Sequence, residues 1–184
     1  MFVNNRINVY VRRYRHDPRR FERSQPRTHK GGGLGVWSCL SNYGLGDLIF
    51  YDGRLNSSEY INILDTHLKS AYSLFPKRYR DKKMFQQDNA RHHVSRKTQE
   101  YIKKPHITIL EWQASSTDLN LIENIWSIVD KKLLKYLLKN VDDLKAAMNT
   151  IWNDILIDTI QKLYKSINNR LKEVIKRKGL SCNS

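Results

Sequence analysis

Two acids, Asp88 and Glu123, stand 35 positions apart in a chain of 184 residues, each where catalysis can use a carboxylate. Asp88 closes the run Met84-Phe85-Gln86-Gln87-Asp88, and Glu123 opens the apolar-periodic stretch that continues through Asn124-Ile125-Trp126. Phosphodiester hydrolysis or transfer needs negative charge neutralised on phosphoryl oxygens and a nucleophile generated near neutral pH. Two divalent ions ~3.5–4 Å apart supply both. Mg²⁺ prefers hard oxygen ligands, keeps several waters and takes only a few carboxylates from protein. A strand end and a helix start, each delivering one acid, could build such a site. It usually takes a third acid from upstream.

Both acids also have plain readings. Asp88-Asn89 is a common turn pair. Glu123 follows Asn120 by three residues, the spacing of a capping box, and Asp118 could cap the same helix.

The elements that must position them follow from periodicity. Asn8 to Arg12 alternates as a strand, and Leu34 to Leu40 reads as a buried strand after the Gly31-Gly32-Gly33 turn. That triplet lacks the Gly-Lys-Ser/Thr ending of a phosphate loop. Between these strands, Arg12 to Lys30 holds seven Arg and one Lys against Asp17 and Glu22, with Pro18 and Pro26, and reads as a basic loop. Asn42 to Gly46 is a hairpin turn and Asp47 to Tyr51 the next strand. Ser57 or Ser58 can cap a helix over Glu59 to Tyr72, with Tyr60, Ile63, Leu64, Leu68 and Ala71 as its apolar stripe. Met84 to Asp88 is a strand aiming Asp88 at the sheet's open rim, where ligands bind in α/β sheets. A helix starting at His92 or Ser95 runs to Ile102, and Ile107 to Leu110 is a short strand. Three helices follow, over about 121–138, 141–156 and 158–178. In the last, Leu163, Ile167, Leu171 and Ile175 form one face. The expected fold class is α/β, a mixed sheet flanked by helices.

Thirty-three Lys and Arg against 18 Asp and Glu give a net charge of +15, which favours a polyanionic partner such as nucleic acid. The alternative is a merely soluble basic surface. Cys39 and Cys182 provide no disulfide framework and no zinc spacing, and fit a reducing, intracellular location. No run approaches the ~20 apolar residues of a membrane span, and the N-terminus lacks a signal-peptide core. No membrane partner is expected.

The words around the two acids carry more. Phe85-Gln86-Gln87-Asp88-Asn89-Ala90-Arg91-His92-His93 resembles the second-acid motif of Tc/mariner-type transposases, with His93 at the motif histidine. Trp112-Gln113-Ala114-Ser115-Ser116-Thr117-Asp118-Leu119-Asn120-Leu121-Ile122-Glu123-Asn124-Ile125-Trp126 resembles their third-acid motif. Thirty-four residues lie between the acids, as in the branch with Glu as third acid. Gly32 to Cys39 is similar to a strand of the family, and Asp52 through Leu64 to the hairpin and helix that follow it.

The resemblance, over about Asn8 to Leu138, implies a ribonuclease-H-like domain at 1–140 with its first strand missing, and a C-terminal helical extension at 141–184. It implies metal-dependent DNA cleavage and strand transfer, with Asp88 and Glu123 as catalytic metal ligands for Mg²⁺ (or Mn²⁺). The implied partner is DNA, both transposon ends and target; a homo-oligomer is compatible, and the location would be nuclear.

Three departures shape the expectation. No Ser-Asp-Glu-type first-acid motif is found, and Asp17, Asp47 and Asp52 lack its context. No helix-turn-helix region precedes the domain. Four motif prolines are replaced, by Arg91, Gln113, Thr117 and Leu121, which loosens loops that aim the acids. The chain is therefore expected to hold metal weakly and to be inactive, or nearly so, as written. The alternatives are a non-enzymatic basic DNA-binding remnant or domesticated protein, and a gene model lacking the N-terminal part of the true protein.

Overall fold

The computed structural model describes residues 34–103, 107–110 and 119–177. The first element is β1 (Leu34–Trp37), followed by a two-residue hairpin of β2 (Leu40–Ser41) and β3 (Gly44–Leu45), and then β4 (Ile49–Asp52). β1 and β4 pair antiparallel, with Leu34 opposite Asp52 and Trp37 opposite Ile49. All four residues of β1 are buried, because helices cover both faces of the strand. Leu34 and Val36 point into a cluster built by the C-terminal helices, and Trp37 points into a second cluster on the opposite face. The period of two is thus intact in a run that reads as uniformly apolar. Gly35 sits opposite Tyr51, and a Cβ there would lie 2.0 Å from the Tyr51 ring, so the tyrosine lies flat over a position only glycine can fill.

On the second face lies α1 (Ser57–Ser73), whose buried residues are Tyr60, Ile63, Leu64, Leu68 and Ala71, the expected stripe. Its cap differs from the expectation. Asn56 accepts from the backbone N–H groups of Ser58 and Glu59, and Glu59 returns a bond to the Asn56 N–H. This capping box places Ser57 and Ser58 inside the first turn. A 3₁₀ segment (Lys77–Lys82) leads to Phe85, which forms a single parallel bridge with Ile109. Bonds from Phe85 N–H to the Thr108 carbonyl and from Leu110 N–H to the Phe85 carbonyl define that pairing. The expected strands over 84–88 and 107–110 are thus shorter than read, since turn chemistry at Asp88 ends the first. Ser95, one of the two expected starts, caps α2 (Arg96–Ile102) by accepting from Thr98 N–H.

The first face is covered by α3 (Leu121–Leu133), α4 (Val141–Asn153) and α5 (Ile157–Lys176). Ile125, Val129, Met148, Ile151, Trp152 and Ile160 join Leu34 and Val36 there, and Trp126 stacks on Trp152 at 4.9 Å. Trp152 Nε1 also donates to the Gly46 carbonyl, tying α4 to the hairpin. α3 ends five residues before the expected Leu138. Leu134 and Leu137 are 79% and 84% exposed, so continuing the helix would gain no burial, and i→i−3 bonds at Lys135 and Tyr136 tighten its last turn. The expected apolar face of α5 is packed only in its N-terminal half. Leu163 lies on the core, whereas Leu171 and Ile175 are exposed. Asn8–Arg12, the basic loop, Asp118 and Cys182 lie outside the described residues. Among those described, no helix is long and apolar enough to cross a membrane.

Candidate active site

Asp88 follows the Phe85 bridge by three residues, so the short strand pairing sets its position. Its Oδ1 accepts from the Ala90 N–H at 3.0 Å, an Asx turn that ends the extended backbone. The same oxygen lies 2.6 Å from His93 Nδ1, which is also 3.1 Å from the Asp88 carbonyl. Both oxygens only accept here, so Nδ1 carries the hydrogen. Hydrogen bonding from His93 and from the Ala90 amide outweighs partial burial and holds the Asp88 carboxyl down at about 2, well below its ordinary 3.8. The carboxylate is therefore ionised at neutral pH, and its side chain remains 41% exposed.

His93 is buried, with 2% of its side chain exposed. Its ring packs at 4.4 Å from Tyr60 and 4.0 Å from His92. The backbone carbonyl of His93 accepts from Gln99 Nε2 at 3.0 Å. Tyr60 Oη donates to Gln87 Oε1 at 2.7 Å, linking α1 to the residue before Asp88. His92 is held neutral, its pKa lowered to about 4, first by burial and then by the neighbouring His93. Thr98 donates to the His92 carbonyl from α2. The turn carrying Asp88 is thus gripped by α1 and α2 together.

Glu123 sits in the first turn of α3, with Asn120 at the N-cap. The Asn120 side chain makes no capping bond, and the Glu123 carboxylate makes no hydrogen bond among the described residues, so the capping-box reading does not hold. Burial first, and then the charges of Asp88 and Asp130, raise the Glu123 pKa. Arg170 on α5 donates to Asn124 Oδ1 at 3.0 Å, bracing that turn from the far end of the chain. A cavity of about 350 Å³ opens at the site; Asp88, His93, Asn120 and Ile122 are among its lining residues.

Sequence reasoning missed the Tyr60–Gln87 bond, the Gln99 contact and the Arg170 brace. His93 is visible in the sequence only as a motif position. Five residues from Asp88, across an Asx turn, it had a legible signal in the spacing. Asp47 pairs with His67 at 3.0 Å and Asp52 ends β4, so neither enters the site as described. Arg91 is exposed and Leu121 is buried in the first turn of α3, whereas Gln113 and Thr117 lie outside the described residues. Among the described residues no group of three or more His, Cys, Asp or Glu converges. Two carboxylates with open oxygens match, in donor chemistry, a hard divalent ion that keeps most of its waters.

The layers, with helices on both faces of the sheet and acids at a strand end and a helix start, define a ribonuclease-H-like domain. The catalytic domain of the Mos1 mariner transposase shares this fold, with a TM-score of 0.70 over 83% of this chain and 76% of that one at 15% identity. The mariner Mos1 paired end complex with Mg aligns with a TM-score of 0.75 over 94% of this chain and 52% of that one, also at 15% identity. The sequence model of the DDE superfamily endonuclease family matches residues 5–145, and the chain belongs to that family. It is 34% identical to the Tc3 transposase of Caenorhabditis elegans over 173 residues, 92% of this chain and 50% of the relative. It is 28% identical to the Tc1 transposase of the same organism over 152 residues, 82% of this chain and 54% of the relative. The chain thus spans about half the length of the curated relatives it matches.

Proposed function

We propose that this chain carries part of a transposase active site for divalent-metal-dependent cleavage and transfer of DNA strands. Asp88 and Glu123 are its metal ligands, for Mg²⁺ or Mn²⁺. The observation that carries the reading is one cavity lined both by Asp88 and by Asn120, Leu121 and Ile122, the residues that lead into Glu123 in the first turn of α3. A bound ion supplies charge neutralisation at the phosphoryl oxygens and an acidified water. The chain's own residues do the rest. His93 and the Ala90 amide fix Asp88, and α3, braced by Arg170, presents Glu123.

DNA is the proposed partner, as transposon ends and as target, and a nuclear location follows from that substrate. The net charge of +15 supports it through counterion release, with affinity that falls steeply with salt. Self-association goes with the same reading, since joining two DNA ends takes more than one active site. The two carboxylates that the described residues bring together hold one ion better than two, so we infer weak metal binding and slow turnover. The charge also favours a second reading, a basic DNA-binding protein without catalysis.

A strand-cleavage and strand-transfer assay of the purified chain in Mg²⁺ tests this. Weak or absent turnover, with DNA binding enhanced by Mg²⁺ and reduced in Asp88→Ala, is expected. Robust turnover abolished by Asp88→Ala would overturn the inference of low activity while supporting the site. DNA binding indifferent to Mg²⁺ and to Asp88→Ala favours the second reading.

A further inference from the structure

We infer that His93 is a positioning residue that makes Asp88 a one-oxygen metal ligand, by occupying Oδ1 and leaving Oδ2 to face the ion. The inference rests on the metal-site reading above and goes further by stating which oxygen of Asp88 His93 leaves to the ion. The hydrogen bonds to the carboxylate are lopsided: the Ala90 N–H at 3.0 Å and the His93 Nδ1–H at 2.6 Å both go to Oδ1. Among the described residues none goes to Oδ2. A carboxylate on a single strand-end residue can rotate about χ2 and present either oxygen, or both. Two donors on one oxygen, from the backbone and from a ring, remove that freedom.

The ring can do this because it cannot move. Tyr60 and His92 pack against it, and its backbone carbonyl is held by Gln99 of α2. Its Nδ1 also meets the Asp88 carbonyl at 3.1 Å, so one N–H registers both the side chain and the backbone of the ligand. This is the logic by which a residue beyond the ligands orients them.

Mn²⁺ titrated onto the 184-residue chain, with free ion read from its electron paramagnetic resonance signal, decides the matter. His93→Leu is expected to weaken Mn²⁺ by roughly 10–100-fold. His93→Asn puts an amide N–H where Nδ1 stands and should keep most of the affinity, whereas His93→Gln places its amide at the Nε2 position and should not. Ile151→Val, which loosens the core on the opposite face without touching the Asp88 turn, should leave Mn²⁺ binding unchanged. If His93→Leu does not melt cooperatively, the Asn and Gln pair decides alone. Equal affinities for Asn and Gln, or a His93→Leu protein that melts earlier yet binds Mn²⁺ as before, would overturn the inference while leaving the site in place. Asp88→Asn separates the two levels: if it does not weaken Mn²⁺, the metal-site reading fails and takes this inference with it.

Discussion

Glu123→Gln should stabilise the metal-free protein while removing its response to metal. Glu123 makes no hydrogen bond among the described residues, and burial together with the charges of Asp88 and Asp130 disfavours its ionised form. Its folded-state pKa therefore lies above the unfolded value, so the native state binds more protons than the unfolded chain as pH rises past 4.5. Stability then falls with rising pH, and the full cost is present at neutral pH. Glutamine keeps the shape and removes the charge. The carboxylate is only half buried, so the gain belongs at the low end for single stabilising changes, about 0.5–1 kcal/mol. For a domain of this size that is a rise in Tm of roughly 1–4 °C. Thermal melts in low salt at pH 7.5, without metal, measure it. The advantage should shrink as pH falls through 4.5 and disappear below it, where the wild-type acid is protonated in both states. Millimolar Mg²⁺ should raise the wild-type Tm by mass action and leave the variant unmoved. A variant less stable than wild type at pH 7.5, or one that gains as much from Mg²⁺, would show that Glu123 is neither destabilising in the metal-free protein nor a metal ligand.

Asp88 behaves in the opposite sense. Its lowered folded-state pKa contributes stability above the ordinary 3.8 that is lost as pH falls toward about 2, so denaturation curves of wild type and Asp88→Asn should converge over that window. Arg170→Met removes the brace on Asn124 and should cost about 1 kcal/mol in urea unfolding, whereas Lys162→Met, which breaks only an exposed pair with Asp158, should cost close to nothing. Ile125, with 0% of its surface exposed, sits at the centre of the α3–α4–α5 cluster, and Ile125→Ala should destabilise by roughly 2–5 kcal/mol in the same assay.

The parts of this fold that periodicity can carry were legible. The five buried residues of α1 are its apolar stripe, and the strand at Leu34 is buried as its composition suggests. What periodicity cannot carry was misread at the ends. Asn56 outcompeted Ser57 and Ser58 for the cap because Glu59 stands at the spacing that completes a box with it. The run from Leu134 to Leu138 has helical spacing, but no neighbour packs on Leu134 and Leu137, and the helix stops. The two acids were visible from their flanking words; their environments were not. The Asp88–His93 bond bridges five residues and had a local signal. The Arg170–Asn124 bond joins positions 46 apart and depends on how α5 lies across α3, which no local pattern encodes.

On the proposed reading, Asp88 and Glu123 hold one divalent ion between them. Calorimetric titration of Mg²⁺ into the wild-type chain and into Asp88→Asn and Glu123→Gln tests it most directly. One weak site in the wild type, lost in either variant alone, is expected. A site that survives both substitutions, or none in the wild type at millimolar Mg²⁺, would contradict it.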